Sequence, residues 1–300
     1  MSIEYDVESE REAVLRVSSY HRRDFELSVI RTPLISSSRS ETRFKSRSPS
    51  HQPADSASWV LVVKHGLEAL RGLLRTGLAP RFTFHRLYEQ LLTLNCTLCD
   101  SFGGFLFLPT ARRCCFECIQ VASELRVASL SAFYKAVKIS KHRLCQLLSV
   151  LRSVSGIYTL EEFTRKKSIA LVAEQDVVET LQTLDLWRDD TVLPRKSLRE
   201  EVPRCMASVA FPYYDLGTAK VQNGLSCKGC QIRVEAVDDI SLDDREKIYS
   251  MDGFLRHFTS CKASQELYNA SQHRTISVHE SKFTKRRGYF DEMGSDGMPR

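Results

Sequence analysis

The chain has 300 residues, 42% of them hydrophobic, with ten cysteines and a formal net charge of +6. That is enough chain for one large or two modest domains with a buried core. No run of about eighteen apolar residues occurs, and the N-terminus MSIEYDVESEREAV is charged where a signal peptide is apolar, so neither a membrane-spanning nor a secreted protein is expected. The expected location is intracellular, cytoplasmic or nuclear. There, cysteines serve as metal ligands or free thiols more often than as disulfides. Acidic and basic residues are mixed along most of the chain, so the positive balance is compatible with nucleic-acid binding without arguing for it.

Residues 1–57 read as a disordered, Ser/Arg-rich segment. From Ser36 onward SSSRSETRFKSRSPSHQPADSAS offers few apolar anchors to offset the entropy of ordering. A transient helix over 4–30 shows no core face. Arg39, Arg43, Lys45 and Arg47 would touch RNA, act in sorting, or belong to a solvated, phosphorylatable tail. Order is expected to begin at Trp59. Apolar residues at Val60, Val63, Leu67, Leu70 and Leu74 have helical spacing and end at Gly77. A second short helix follows in FTFHRLYEQLLTL, with Thr83 as its N-cap, and runs into Cys96.

Residues 96–118 read CTLCDSFGGFLFLPTARRCCFEC. Two Cys-x-x-Cys pairs stand fifteen residues apart, from Cys99 to Cys115, which is the spacing of a four-thiolate zinc site. Zn²⁺ takes four tetrahedral ligands, and two residues between cysteines let a tight turn aim both sulfurs at one ion. Gly103-Gly104 supplies a turn, Phe105 to Leu108 a short buried strand, and Pro109-Thr110 a turn back. CFECIQVASEL then leaves as a helix, in a treble-clef or zinc-ribbon arrangement. The competing reading is four cysteines buried as small hydrophobes. Cys114 would substitute for Cys115 only with the less usual C-x3-C spacing.

Beyond this loop, short helices are expected at 130–138 and 140–150, the second capped by Ser140 and carrying Cys145 on its apolar side. A long amphipathic helix is expected from Leu160 toward Leu186, with a capping box at Thr159 and Glu162 and a break near Gln175. Its Ile169, Val172, Val177, Val178 and Leu181 would face a core. Leu193 to Arg204 reads as a polar connection, and CMASVAFPYY as a strand interrupted at Pro212. A hairpin through Gly217 or Asn223-Gly224 would lead to Cys227. Cys145 and Cys205 are expected to be buried.

A second constellation follows. Cys227 and Cys230 form a Cys-x-x-Cys pair with Gly229 at the turn, and His257 and Cys261 lie four residues apart, one helical turn, on one face. The twenty-six residues between Cys230 and His257 would hold QIRVEAV as a strand and DDREKIYS as a helical turn. The set reads as a zinc site of three cysteines and one histidine, with free thiols or a thiol-redox pair as alternatives. About 108 residues separate Cys118 from Cys227, too many for one cross-braced RING-type unit. No Walker loop, Rossmann fingerprint, G-x-S-x-G elbow or H-E-x-x-H helix is present. Both metal sets are filled by protein ligands, whereas a catalytic zinc keeps an open position, so the chain is expected not to be an enzyme.

The reading in outline is an α+β fold, mostly helical, with short β-hairpins at two zinc-knuckle-type sites. The expected divisions are 1–57, disordered; 58–190, helical with the four-cysteine site; 191–272, a hairpin plus helix with the mixed cysteine–histidine site; and 273–300, a disordered basic tail. Two structural zinc ions are the implied cofactors.

GGFLFLPTARRCCFEC, the YT at Tyr158, FPYYDL, SCKGCQ and YSMDGFLRHFTSCKASQELY resemble, in that order, a set of filamentous-fungal F-box proteins with a cysteine-rich region. The resemblance covers roughly residues 60–270. Carried over position by position, it implies Cys96, Cys99, Cys115 and Cys118 as one ligand set and Cys227, Cys230, His257 and Cys261 as the other. It also implies a non-enzymatic adaptor whose partners are the cullin-ligase linker protein and an unknown ubiquitination target. An F-box itself would open with a Leu-Pro-x-Glu-like sequence, which residues 1–57 lack; residues 59–93 read as its last part or as the segment just after it. The alternative function is a zinc-dependent nucleic-acid-binding protein. The basic balance and the run Lys282 to Arg287 favour it, and the lack of a basic helical stripe or interleaved aromatics counts against it.

Overall fold

The computed structural model describes residues 7, 9–22, 56–137, 139–158, 163–186, 201–236, 243–272, 276, 278 and 280–288. Helices alternate with short antiparallel strand pairs and three-stranded sheets, an α+β architecture. The chain divides into two compact units: Phe25–Val221, and a discontinuous unit of Met1–Asp24 with Gln222–Arg300. This differs from the expected division at residue 190. The strand Ser208–Ala210 pairs with Phe105–Phe107 and so belongs with the four-cysteine region, not with the second constellation.

In the Phe25–Val221 unit, the apolar run after Gly104 forms the central strand of a three-stranded sheet. Phe105–Phe107 pairs with Arg112–Cys114 on one side and Ser208–Ala210 on the other, with Leu106 opposite both Arg113 and Val209. A continuous apolar run suits a strand covered on both faces, and Phe105, Leu106, Phe107 and Leu108 are all buried. The helical period before this sheet resolves into two helices, Ser56–His65 and Leu67–Thr76, because Gly66 leaves helical geometry at φ −98°, ψ 16°. The second helix ends at Gly77 in the left-handed conformation (φ 81°), as its sequence position predicts. Thr83 caps the Phe84–Leu91 helix and Ser140 caps Lys141–Leu147, each accepting a backbone N–H three residues on.

The long helix expected from Leu160 is corrected. Phe163–Arg165 pairs with Gly156–Tyr158, and Ala170–Ala173 is the central strand of a second three-stranded sheet between Val127–Ser129 and Leu151–Arg152. Among the described residues of this stretch, only Glu174–Thr183 is helical. Leu171, Val172 and Ala173 are all buried in succession, as a central strand covered on both faces allows; cross-strand packing decided over local periodicity. The capping-box residues Thr159 and Glu162 lie outside the described residues. Val172 joins Leu130, Phe133, Leu144, Leu148, Val177 and Leu181 in one core cluster. The expected strand from Cys205 begins later: Glu201–Met206 is a helix, followed by Ser208–Ala210 and a hairpin of Tyr213–Asp215 with Lys220–Gln222. Cys145 is exposed and Cys205 half-buried, both contrary to expectation.

In the discontinuous unit, residues 9–22 are not a disordered segment. Arg11–Ser18 is a helix, and Ser19–Tyr20 pairs antiparallel with Ser226–Cys227, Ser19 opposite Cys227. Val14 and Val17 pack with Cys227, Cys230, Phe254, Phe258, Cys261 and Tyr268 in one core. The N-terminal helix thus completes the second cysteine region across more than 200 residues of sequence, a pairing that no local pattern announces. Residues 1–6, 8 and 23–55 of the expected 1–57 segment lie outside the described residues. Within the expected basic tail, Lys282–Lys285 is a short helix capped by Ser281, with Phe283 and Thr284 buried. The Phe283 ring takes the guanidinium of Arg22 at 5.5 Å and of Arg245 at 5.7 Å.

Candidate metal centres

The first cluster starts where the Phe84–Leu91 helix ends. An isolated bridge joins Asn95 to Phe102, the Cys96 N–H donates to Ser101 O at 2.6 Å, and the Asp100 N–H donates to Cys96 O at 3.0 Å. Asp100 takes a left-handed φ of 62°, which a short polar residue tolerates in such a turn. Thr97 hooks the turn onto the neighbouring strand, its N–H and hydroxyl both donating to Arg113 O at 3.1 and 3.0 Å. Cys115 is the N-cap of the Phe116–Val121 helix, and its sulfur accepts the Cys118 N–H at 3.4 Å. The Leu98 N–H donates to Cys96 Sγ at 3.4 Å. The sequence separation of fifteen residues is therefore spanned by one hairpin and closed by the start of one helix.

The four sulfurs of Cys96, Cys99, Cys115 and Cys118 lie within 4.8 Å of one another, with Cys99 and Cys115 at 3.4 Å. Cys115, not Cys114, joins the cluster. Cys114 sits opposite Phe105 in the hairpin and is fully buried, which pushes its thiol well up. Hydrogen bonding by Cys115 holds Cys96 down at about 4, while burial pushes Cys118 up to about 12.

A buried cation supports this hairpin. Arg113 has no exposed surface, and burial lowers its pKa to about 9. Its guanidinium donates to the carbonyls of Gln90 at 2.7 Å, Pro212 at 3.0 Å and Phe211 at 3.1 Å, and lies 5.4 Å from the Phe211 ring centre. Its backbone N–H donates to Gln90 Oε1 at 2.9 Å. Two separate segments, around Gln90 and around Phe211-Pro212, are fastened to the cluster's second strand by this one side chain. Gly103 makes room for it, since a Cβ there would stand 2.7 Å from Arg113 Cγ and 3.0 Å from the Cys96 nitrogen. Sequence reasoning missed Arg113 because arginine is rarely buried without a carboxylate.

The second cluster takes its donors from a strand end and two helices. Cys227 ends the Ser226–Cys227 strand, and its sulfur accepts the Cys230 N–H at 3.4 Å. Cys230 stands in the Lys228–Ala236 helix, which replaces the strand expected for QIRVEAV. Gly229 serves close approach rather than a turn. A Cβ there would meet Ser264 N at 2.4 Å and Ala263 C at 2.6 Å, backbone atoms of the Lys262–Ala270 helix. His257 lies in the last turn of Met251–Ser260, and Cys261 is the extended residue joining that helix to the next. The Cys261 N–H still donates to His257 O at 2.9 Å, which keeps the two donors one turn apart as their spacing predicts.

Cys227, Cys230, His257 and Cys261 likewise have donor atoms within 4.8 Å of one another. The Cys261 sulfur lies 3.7 Å from Cys230 Sγ and 3.9 Å from Cys227 Sγ, and His257 Nε2 lies 3.4 Å from Cys230 Sγ. Burial works against the His257 imidazolium, but hydrogen bonds and negative charge from Cys227 and Cys261 outweigh it and raise its pKa to about 9. On the far side of the ring, Nδ1 faces Tyr249 Oη at 3.2 Å and the two rings stack at 4.7 Å. Tyr249 is itself held by a two-bond bridge with Leu225, both bonds 2.8 Å. A ligand histidine whose second nitrogen meets a polar partner has its tautomer and orientation set. Tyr249 is the supporting residue that the sequence reading did not single out.

The donor sets fit a tetrahedral ion. Metal–sulfur bonds of about 2.3 Å at tetrahedral angles separate sulfurs by about 3.8 Å, and sulfur from nitrogen by about 3.6 Å; the Cys99–Cys115, Cys230–Cys261 and Cys227–Cys261 separations of 3.4, 3.7 and 3.9 Å and the Cys230–His257 separation of 3.4 Å lie near these values. Among the described residues, these are the two groups of three or more His, Cys, Asp or Glu that could hold a metal ion. They define an α+β protein with two four-donor candidate metal clusters, one in each compact unit. No helix among the described residues is long and apolar enough to cross a membrane. No family model, curated protein or solved structure matches the chain.

Proposed function

We propose that the chain is a non-enzymatic protein-interaction module whose two units are each stabilised by a structural zinc ion. The observation that carries the reading is the closure of both clusters by four protein donors, with thiolates dominating each set. Such sites favour Zn²⁺, and they leave no open position for water or substrate. Zinc bound this way contributes folding energy: roughly 10–16 kcal/mol of apparent binding in small peptides, comparable with the stability of a domain. The short paired strands between Cys99 and Cys115 would then act as a zinc-knuckle hairpin.

The adaptor role is supported by the resemblance to the cysteine-rich part of fungal F-box proteins, which carries over to every proposed ligand. In that role the zinc-bearing body would hold a target for ubiquitination. Affinity capture with tagged, zinc-loaded full chain tests it: recovery of the linker protein together with a cullin is expected. If neither is recovered while the bait is folded and zinc-loaded, the adaptor role fails. Nucleic-acid affinity that falls steeply with salt would instead favour the nucleic-acid reading.

A further inference from the structure

The two clusters differ in how they meet solvent. In the second, all three cysteines are buried. In the first, Cys96, Cys115 and Cys118 are buried but Cys99 is exposed, on a turn whose Thr97, Asp100 and Ser101 are exposed as well. The sulfur of the exposed residue Cys99 lies 3.4 Å from the sulfur of the buried Cys115. An oxidised sulfur at Cys99 would therefore find a second sulfur beside it. A disulfide needs about 2.0 Å, so only a short approach is required. Cys145 is also exposed, but it belongs to neither cluster.

We propose that the four-cysteine cluster is a site of reversible oxidation by hydroperoxides, entered at Cys99 and closed as a Cys99–Cys115 disulfide, while burial protects the mixed cysteine–histidine cluster. In the first step the Cys99 thiolate attacks one peroxide oxygen. The O–O bond breaks, the departing hydroxide takes a proton to become water (or an alcohol from an organic hydroperoxide), and Cys99 becomes a sulfenic acid. In the second step the Cys115 thiolate attacks the Cys99 sulfur, the S–S bond forms, and the S–O bond breaks to release water after protonation. Two thiolates lose two electrons and one peroxide gains them. Two of the four donors of the cluster are then removed, so its metal is released. A dithiol reductant reverses the change.

This inference rests on the metal reading above, and the experiment separates the two. Full-length zinc-loaded chain carrying Cys145→Ser is assayed for zinc, then treated with hydrogen peroxide. Zinc release is followed with a chromogenic chelator, and disulfides are mapped by non-reducing proteolysis and mass spectrometry. The expected result is two ions at the start, loss of one ion with a Cys99–Cys115 crosslink, and loss of the second at least tenfold more slowly. Dithiothreitol with added zinc should restore the first. Loss of both ions together, earlier loss from the mixed cluster, or a first crosslink lacking Cys99 would overturn the inference while leaving the metal reading intact. A chain that starts without zinc overturns the metal reading and this inference with it.

Discussion

Arg113 and Tyr249 occupy corresponding places in the two units, each a polar side chain behind a candidate metal cluster. Arg113 satisfies the carbonyls of Gln90, Phe211 and Pro212 in a site closed to water. An Arg113→Met substitution keeps the apolar stem and removes every donor of the fork. Leaving those groups without their partner should cost about 3 kcal/mol or more, read as a lower denaturant midpoint at unchanged slope. An unchanged midpoint would mean that the guanidinium contributes nothing net. For Tyr249, the hydroxyl opposite His257 Nδ1 is the readable part. Tyr249→Phe keeps the ring stack and should weaken zinc at the mixed cysteine–histidine cluster by about 10–100-fold in chelator competition, with the four-cysteine cluster unaffected. Equal weakening of both clusters would contradict that assignment.

At the scale of elements, the close approach of two helices at Gly229 carries a sharper expectation. A methyl group there meets backbone 2.4 Å away, and backbone cannot swing aside as a side chain can. Gly229→Ala should destabilise the discontinuous unit by about 1–3 kcal/mol, despite the higher helix propensity of alanine. Hydrogen exchange at the amides of 228–236 and 262–270 should quicken; unchanged or slower exchange would refute the expectation. What the sequence disclosed at this scale depended on the range of the forces involved. Thr83, Ser140 and Gly77 act within one turn, so their capping roles were legible. The grouping of both four-residue sets was legible because coordination chemistry demands particular residues at particular spacings. The stretch 163–173 was not legible, since Leu171, Val172 and Ala173 are strand residues only through pairing with Val127–Ser129 and Leu151–Arg152. The strand expected at QIRVEAV failed for a similar reason: its residues 231–236 continue the helix that presents Cys230 and packs on Lys262–Ala270. Arg113 was missed because its partners are backbone carbonyls, which leave no trace in residue identity.

At the scale of the whole molecule, each compact unit gathers its candidate metal donors from separate stretches of chain. The four-cysteine set joins the turn at Cys96–Cys99 to the helix start at Cys115–Cys118 through one hairpin. The mixed set joins a strand end to two later helices, and the N-terminal helix closes over it with Val14 and Val17. On the proposed reading, metal binding and folding of a unit are one equilibrium. Cys96→Ser or Cys118→Ser should therefore unfold the Phe25–Val221 unit and remove one ion, while the mixed cluster retains its own. The most direct measurement is elemental analysis of zinc in purified wild type and in Cys118→Ser, alongside thermal unfolding of both. Two ions per wild-type chain, and one in a destabilised Cys118→Ser, are expected. No zinc in the wild type, or unchanged zinc content and thermal stability in the variant, would contradict the claim that these clusters are structural metal centres.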